Sequence, residues 1–292
     1  MTRKLPCNLY LAAASADERG GIYHCKFDGE QLTVANFYNI DRPMYLCVDG
    51  DKLYVLLRGL TPGGTDSGMF VYDIAPDGSL SNPTAPVSTE GLCACHISVL
   101  DGVPYAANYL SGNVVRLGGE NFAVDAIARH EGTGPHPTRQ EAAHTHFVRP
   151  TPDGKHLFAV DLGIDTVFTY DKDLKRVSHA FVPAGEGCRH LDYSADGRYV
   201  YCANELGSSV TVFANDGGVL TALGTYPALP EGYSEPSTAA AIRVADDGSA
   251  VYVSHRGMNT VAALPVLADG KLGAPSFVEI GGDSPRDFLI VD

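Results

Sequence analysis

One unit recurs along this chain at a spacing near fifty residues, and it leaves few folds open. Asp-Gly pairs stand at Asp49-Gly50, Asp101-Gly102, Asp153-Gly154, Asp196-Gly197 and Asp247-Gly248, at intervals of 52, 52, 43 and 51 residues. Each pair is followed by a short apolar run, a polar turn and a second apolar run, as in DGRYVYCANELGSSVTVF from Asp196. Another run, such as His190–Ser194, precedes the pair, and a more variable one, such as Val219–Ala222, closes the unit. Asp-Gly favours hairpins because glycine takes positive φ without steric cost. With the strands lettered a to d, Asp-Gly joins a to b. Four antiparallel strands per repeat and no helical periodicity predict an all-β propeller. A β-sandwich needs no such regular period. Repeat folds run longer than ordinary domains as one unit, so residues 1–292 are expected to form a single domain.

The repeat is unfinished at both ends. Asn8 to about Phe37 supplies only strands b, c and d, and Pro285–Asp292 reads as a strand a with no Asp-Gly after it. Either residues 286–291 close a six-bladed ring by pairing with the N-terminal strands, or a seventh blade is missing. The apolar stretch before Ser15 looks like a weak leader core. However, a charged turn and Gly21-Ile22-Tyr23 follow it, which reads as strand, turn, strand.

Charge and cysteine usage narrow the function. A formal net charge of −14 argues against nucleic acid or an anionic membrane as partner. A local basic cluster can still hold a small anion, because distant surface charge is screened. Seven scattered cysteines form no even disulfide framework and point to a reducing, cytoplasmic setting. No apolar stretch is long enough for a membrane-spanning helix. Cys93 and Cys95 read as buried free thiols. No Gly-x-Ser-x-Gly elbow, Cys-x-x-Cys pair or phosphate-binding glycine loop is present, so a covalent nucleophile has no support.

Strand a runs toward Asp-Gly and strand b runs away from it. The start of a and the end of b therefore lie at one end of a blade, and these ends should converge on one face. The long stretch from His130 to His146 leads into a strand a, where His144 and His146 share one side. A histidine there suits a general base, since it titrates near neutrality. A metal reading would recruit His130, His136 and Glu141, but the spacing matches no standard zinc signature. Arg189 opens the next strand a and Glu205 follows its strand b. Arg243 and Arg256 belong to the following repeat, and Arg286 opens the last strand a. Clustered arginines repel one another unless Asp161, Asp165, Glu205 or an anionic ligand balances them.

At these residues the chain resembles the propeller-type 6-phosphogluconolactonase family, which includes a carboxymuconate cycloisomerase branch. The resemblance rests on Arg139-Gln140-Glu141 with His144-Thr145-His146, Asp161-Leu162-Gly163-Ile164-Asp165, Cys188-Arg189-His190 with Asn204-Glu205-Leu206, Ile242-Arg243 with Arg256-Gly257, and Pro285-Arg286-Asp287-Phe288. It implies a seven-bladed fold whose last blade is incomplete in this chain. It also implies a catalytic set of His146, Glu205, Arg189 and Arg256, with His144, Glu141, Asp161, Arg243 and Arg286 binding substrate. The expected activity is hydrolysis of a small anionic sugar lactone, 6-phosphogluconolactone first, with no metal or other cofactor. A cycloisomerase or hydrolase acting on a carboxylated lactone, and a non-catalytic binding propeller, are the alternatives.

Overall fold

The computed structural model describes residues 5–291 apart from Ala16 and Pro62. Residues 1–4 and 292 of the expected domain therefore lie outside the described residues, as does the last residue of the expected final strand. The regular structure described is β throughout, and no helix is long and apolar enough to cross a membrane.

The chain divides into two compact units, one over Met1–Arg129 with Val148–Pro150 and Val291–Asp292, the other over His130–Phe147 and Thr151–Ile290. The first begins with an antiparallel sheet of β1 (Cys7–Ala13), β2 (Gly21–Phe27) and β3 (Leu32–Asn39). The strand–turn–strand reading of the N-terminal stretch holds there, and among the described residues this sheet has three strands. The second sheet orders β4 (Pro43–Asp49), β5 (Lys52–Leu57), β6 (Asp66–Ile74) and β7 (Leu80–Ser81), with β8 (Val87–Leu92) also on β6. The third comprises β9 (Ala94–Leu100), β10 (Val103–Asn108), β11 (Asn113–Gly118) and β12 (Ala123–Arg129).

The plan is repeated in three further sheets. These are β13 (Thr145–Pro150), β14 (Leu157–Asp161), β15 (Thr166–Tyr170) and β16 (Arg176–Phe181), then β17 (Cys188–Tyr193), β18 (Tyr199–Asn204), β19 (Ser209–Asp216) and β20 (Val219–Pro227), then β21 (Thr238–Val244), β22 (Ala250–Arg256), β23 (Thr260–Pro265) and β24 (Ser276–Glu279). Residues 285–291, expected as a further strand a, form no strand.

The Asp-Gly pairs perform as their chemistry requires. In the tight turn between β9 and β10, Asp101 and Gly102 both have positive φ, 53° and 75°, the requirement of a type I′ hairpin. In the longer turns, the Asp side chain caps the backbone two residues on. Asp196 Oδ1 accepts from Arg198 N at 3.0 Å and Asp247 Oδ1 from Ser249 N at 2.9 Å, the Asx-turn geometry.

The second strand of each sheet explains its unbroken apolar character. In β18, Val200 and Cys202 face a core shared with Phe147, Phe158 and Leu191 of the neighbouring strands. Alternate residues Tyr201 and Ala203 face another core with Ile242, Val251 and Val253. In the first unit, Leu53, Val55 and Leu57 pack with Ile22, while Tyr54 and Leu56 pack with Ile97 and Val115. Both faces of such a strand are buried between sheets, so period-2 alternation disappears from the sequence. The first sheet is the exception. Ile22 packs inward, while Leu11, Leu32, Val34 and Phe37 are exposed.

Candidate active site

The convergence expected for strand ends occurs in the second unit, and β-bulges aim the side chains. Between β17 and β18 the register runs Cys188↔Asn204 and then His190↔Ala203, leaving Arg189 as the extra residue. A bulged residue is re-aimed relative to the regular pleat. Between β21 and β22 the register slips again after Ala239, opposite His255. Backbone carbonyls at this bulge accept from the arginines: Arg189 Nη1 donates to Ala240 O at 2.9 Å and Arg256 Nη2 to Ala239 O at 3.0 Å.

Glu205 sits at the focus. Its Oε2 lies 2.9 Å from Arg189 Nε and 3.0 Å from Arg256 Nη2, and its Oε1 lies 2.5 Å from Arg139 Nη2. The Glu205 and Arg189 side chains are 3% and 2% exposed, Arg256 17% and Arg139 37%. Burial pushes the Glu205 carboxyl up, but Arg189, Arg256 and Arg139 together outweigh it and hold the group below the usual carboxylate range. Glu205 is thus an anionic anchor and a weak base.

Local structure holds this pair in place. Glu205 N donates to Gly187 O at 2.7 Å, and Gly187 N donates to Asp165 Oδ1 at 2.6 Å. Gly187 has φ 62°, and a Cβ there would meet the Leu206 side chain at 2.5 Å, so the approach to Arg189 needs glycine.

His146 is buried in β13 with its ring edge-on to His190, centroids 5.2 Å apart. Burial first, then the charges of Arg189, Arg286 and Arg256, hold its protonated form well out of reach near neutral pH. Arg189 and Arg256, two of the three arginines that hold Glu205, therefore also act on His146.

Other nominated residues are engaged differently. His144 Nε2 lies 3.0 Å from Glu141 Oε1, at the rim of this loop. Asp161 is fully buried, pairs with His130 at 2.6 Å and accepts backbone N–H groups, so it cannot reach a substrate or balance the arginines. Asp165 likewise spends both oxygens on Gly185 N and Gly187 N, at 2.7 and 2.6 Å. Arg243 turns away to Asp287 at 2.6 Å, under the Phe288 ring at 5.7 Å. It lies toward the Asp-Gly end of β21, away from the bulge, which is why it does not join Glu205.

Arg139 was not nominated for the site. Its signal is that it is the sole arginine or lysine between His130 and His146. The loop is braced by buried Gln140, which donates through Nε2 to Leu162 O at 2.9 Å and accepts from His136 N at 3.1 Å. Among the described residues no three His, Cys, Asp or Glu side chains gather as a metal site. His130 is committed to Asp161 and Tyr170, and Glu141 to His144. A separate cleft of about 250 Å³ lies at the Asp-Gly end of the last two sheets, lined by Tyr199, Tyr201 and Gly270. Its one arginine, Arg198, is already paired with Asp196.

The second unit also holds His255, buried and with neither ring nitrogen hydrogen-bonded among the described residues. Burial lowers it to about 4. The folded value lies below the unfolded one of about 6.5, so this stability is complete above pH 6.5 and drains as pH falls toward 4. The loss is about 3 kcal/mol on that shift. His255→Asn is expected to lessen acid destabilisation by about that amount, read by urea unfolding at neutral and acid pH. Parallel pH dependences in both proteins would rule His255 out as the cause.

Comparison with known proteins gives the family. Residues 8–292 match the family described as lactonase, 7-bladed beta-propeller. A periplasmic gluconolactonase of Pseudomonas aeruginosa is 28% identical, with a TM-score of 0.86 over 97% of this chain and 85% of that one. A Bacteroides fragilis protein provisionally described as a 6-phosphogluconolactonase is 25% identical, with a TM-score of 0.86 over 97% and 84% of the two chains. An uncharacterised protein of Staphylococcus epidermidis is 28% identical over 97% of this chain and 86% of its own length.

Proposed function

From the premise that the chain belongs to the seven-bladed β-propeller lactonase family, we propose that it hydrolyses a small anionic sugar lactone, with 6-phosphogluconolactone the preferred candidate. The observation that carries this reading is the charge imbalance at Glu205. Three guanidiniums face one carboxylate, and the nearby carboxylates of Asp161 and Asp165 are committed elsewhere. Two unit charges 4 Å apart repel by about 4 kcal/mol at an effective dielectric near 20. An anionic substrate group relieves that repulsion, although the chain as a whole carries −14.

In this mechanism Arg139, Arg189 and Arg256 grip the phosphate or carboxylate, and one of them faces the carbonyl oxygen as it gains charge. Neutral His146 takes a proton from water as the water oxygen bonds to the lactone carbonyl carbon. The ring C–O bond then breaks, and the imidazolium returns the proton to the leaving alkoxide. Glu205 keeps the arginines in register. The scheme draws on no metal. The seven free thiols support a reducing, cytoplasmic setting for the reaction.

The test is turnover across phosphorylated, carboxylated and uncharged lactones of similar ring size. Hydrolysis is expected to favour the phosphorylated sugar lactone over its uncharged counterpart in kcat/KM. Equal kcat/KM for the two would remove the arginines from recognition. Preference for a carboxylated lactone, or isomerisation in place of hydrolysis, would move the assignment to that branch of chemistry. Turnover of none would leave a binding protein.

A further inference from the structure

The last residue of β14 departs from its counterparts. By register, Asn108, Asp161, Asn204 and His255 each face the first residue of the third strand: Asn113, Thr166, Ser209 and Thr260. Asn108 and Asn204 bond across to those partners, at 2.8 Å each. Asp161 does not, and Thr166 donates instead to Ile164 O. The Asp161 carboxylate turns back toward the approach to β13. Its Oδ1 accepts His144 N at 2.7 Å and Gly163 N at 3.0 Å. Its Oδ2 accepts Thr145 Oγ1 at 3.0 Å and faces His130 Nδ1 at 2.6 Å. Behind it, His130 Nε2 meets the Tyr170 hydroxyl at 2.9 Å. Asp161, His130, Thr145 and Tyr170 are all buried.

We propose that Asp161, backed by His130 and Tyr170, is a positioning residue for His146. One carboxylate restrains the backbone at His144 and the side chain at Thr145, the two residues entering the strand that carries His146. A carboxylate can accept all four bonds. An amide has one acceptor oxygen, and its NH₂ would confront His130 Nδ1 and the Thr145 hydroxyl.

The kinetic part of the test rests on the lactonase reading; the spectroscopic part does not. Asp161→Asn places at this position the residue that two of its three counterparts, Asn108 and Asn204, carry, so the fold is expected to survive. In Asp161→Asn, kcat should fall about 10- to 100-fold with KM within about threefold, since small misplacements of a reacting group cost that much. In histidine-labelled protein, the ¹⁵N resonances of His146, assigned by their absence in His146→Ala, should shift. Tyr170→Phe keeps the carboxylate and removes one hydroxyl, and should shift them less, with kcat down about two- to fivefold. Unmoved His146 resonances in both variants would overturn the proposal, as would unchanged kcat in both. If Asp161→Asn does not fold, Tyr170→Phe decides by the same readouts. If the wild-type protein opens no lactone, the proposed function fails and the resonances alone decide the positioning role.

Discussion

His146→Ala is expected to lower kcat for the lactone by about 10²- to 10⁴-fold, with KM changing by less than about threefold, because general-base assistance acts in the transition state and contributes little to binding. The magnitude follows from where the ring sits. It is buried, and Arg189, Arg286 and Arg256 add to burial in keeping it unprotonated. A base held neutral near pH 7 is available there, and the same lowering makes it a weaker base than an ordinary histidine. The sign for pH follows: the acid limb of kcat should lie well below the usual histidine value of about 6.5, and the rate should be level as pH passes through it. Removing a buried ring also costs packing, so His146→Gln serves as a control that better fills the space. Steady-state kinetics from pH 4 to 8 make the measurement, a window set by the ordinary histidine range of roughly 5–8. An acid limb centred near 6.5, or full turnover in a folded His146→Ala, would remove the residue from the reaction.

Glu205→Ala should destabilise the protein by about 3–5 kcal/mol, the range for breaking a buried ion pair by deleting one partner. The cost lies in the guanidiniums left behind. Arg189 and Arg256 are 2% and 17% exposed and both lose the Glu205 carboxylate, 2.9 and 3.0 Å away. Arg139, 37% exposed, is well enough hydrated that Arg139→Ala alone should change stability by no more than about 1 kcal/mol. An anion that binds the folded arginines should recover part of the loss, by mass action. Inorganic phosphate is therefore expected to raise the Tm of Glu205→Ala more than that of the wild type. Differential scanning calorimetry with and without phosphate reads both effects. A variant as stable as wild type, or indifferent to phosphate, would contradict the picture of arginines held by one carboxylate.

Much of this was legible beforehand for local reasons. Asp-Gly specifies a hairpin through the φ of glycine and the capping reach of aspartate, both confined to a few residues. Unbroken apolar runs such as Val200–Ala203 mark strands buried on both faces. Strand direction alone then brings the start of one strand and the end of the next together, which grouped Arg189, Glu205 and Arg256 correctly. The same reasoning misassigned Arg243, because a residue five places into a strand has travelled toward the opposite end. It also overread Pro285–Phe288, whose strand-like pattern finds no partner strand among the described residues.

The sequence by itself determined the repeat, the hairpins and the end of each sheet at which charge would collect. Only the tertiary structure decided who pairs with whom. Arg139 reaches Glu205 across 66 residues of chain, and Asp161 spends its charge on a buried histidine 31 residues before it. Turn chemistry and strand period are set by neighbours in sequence. The partner of a buried charge is set by whichever opposite charge or donor the packed sheets bring within about 3 Å, and no local pattern encodes that.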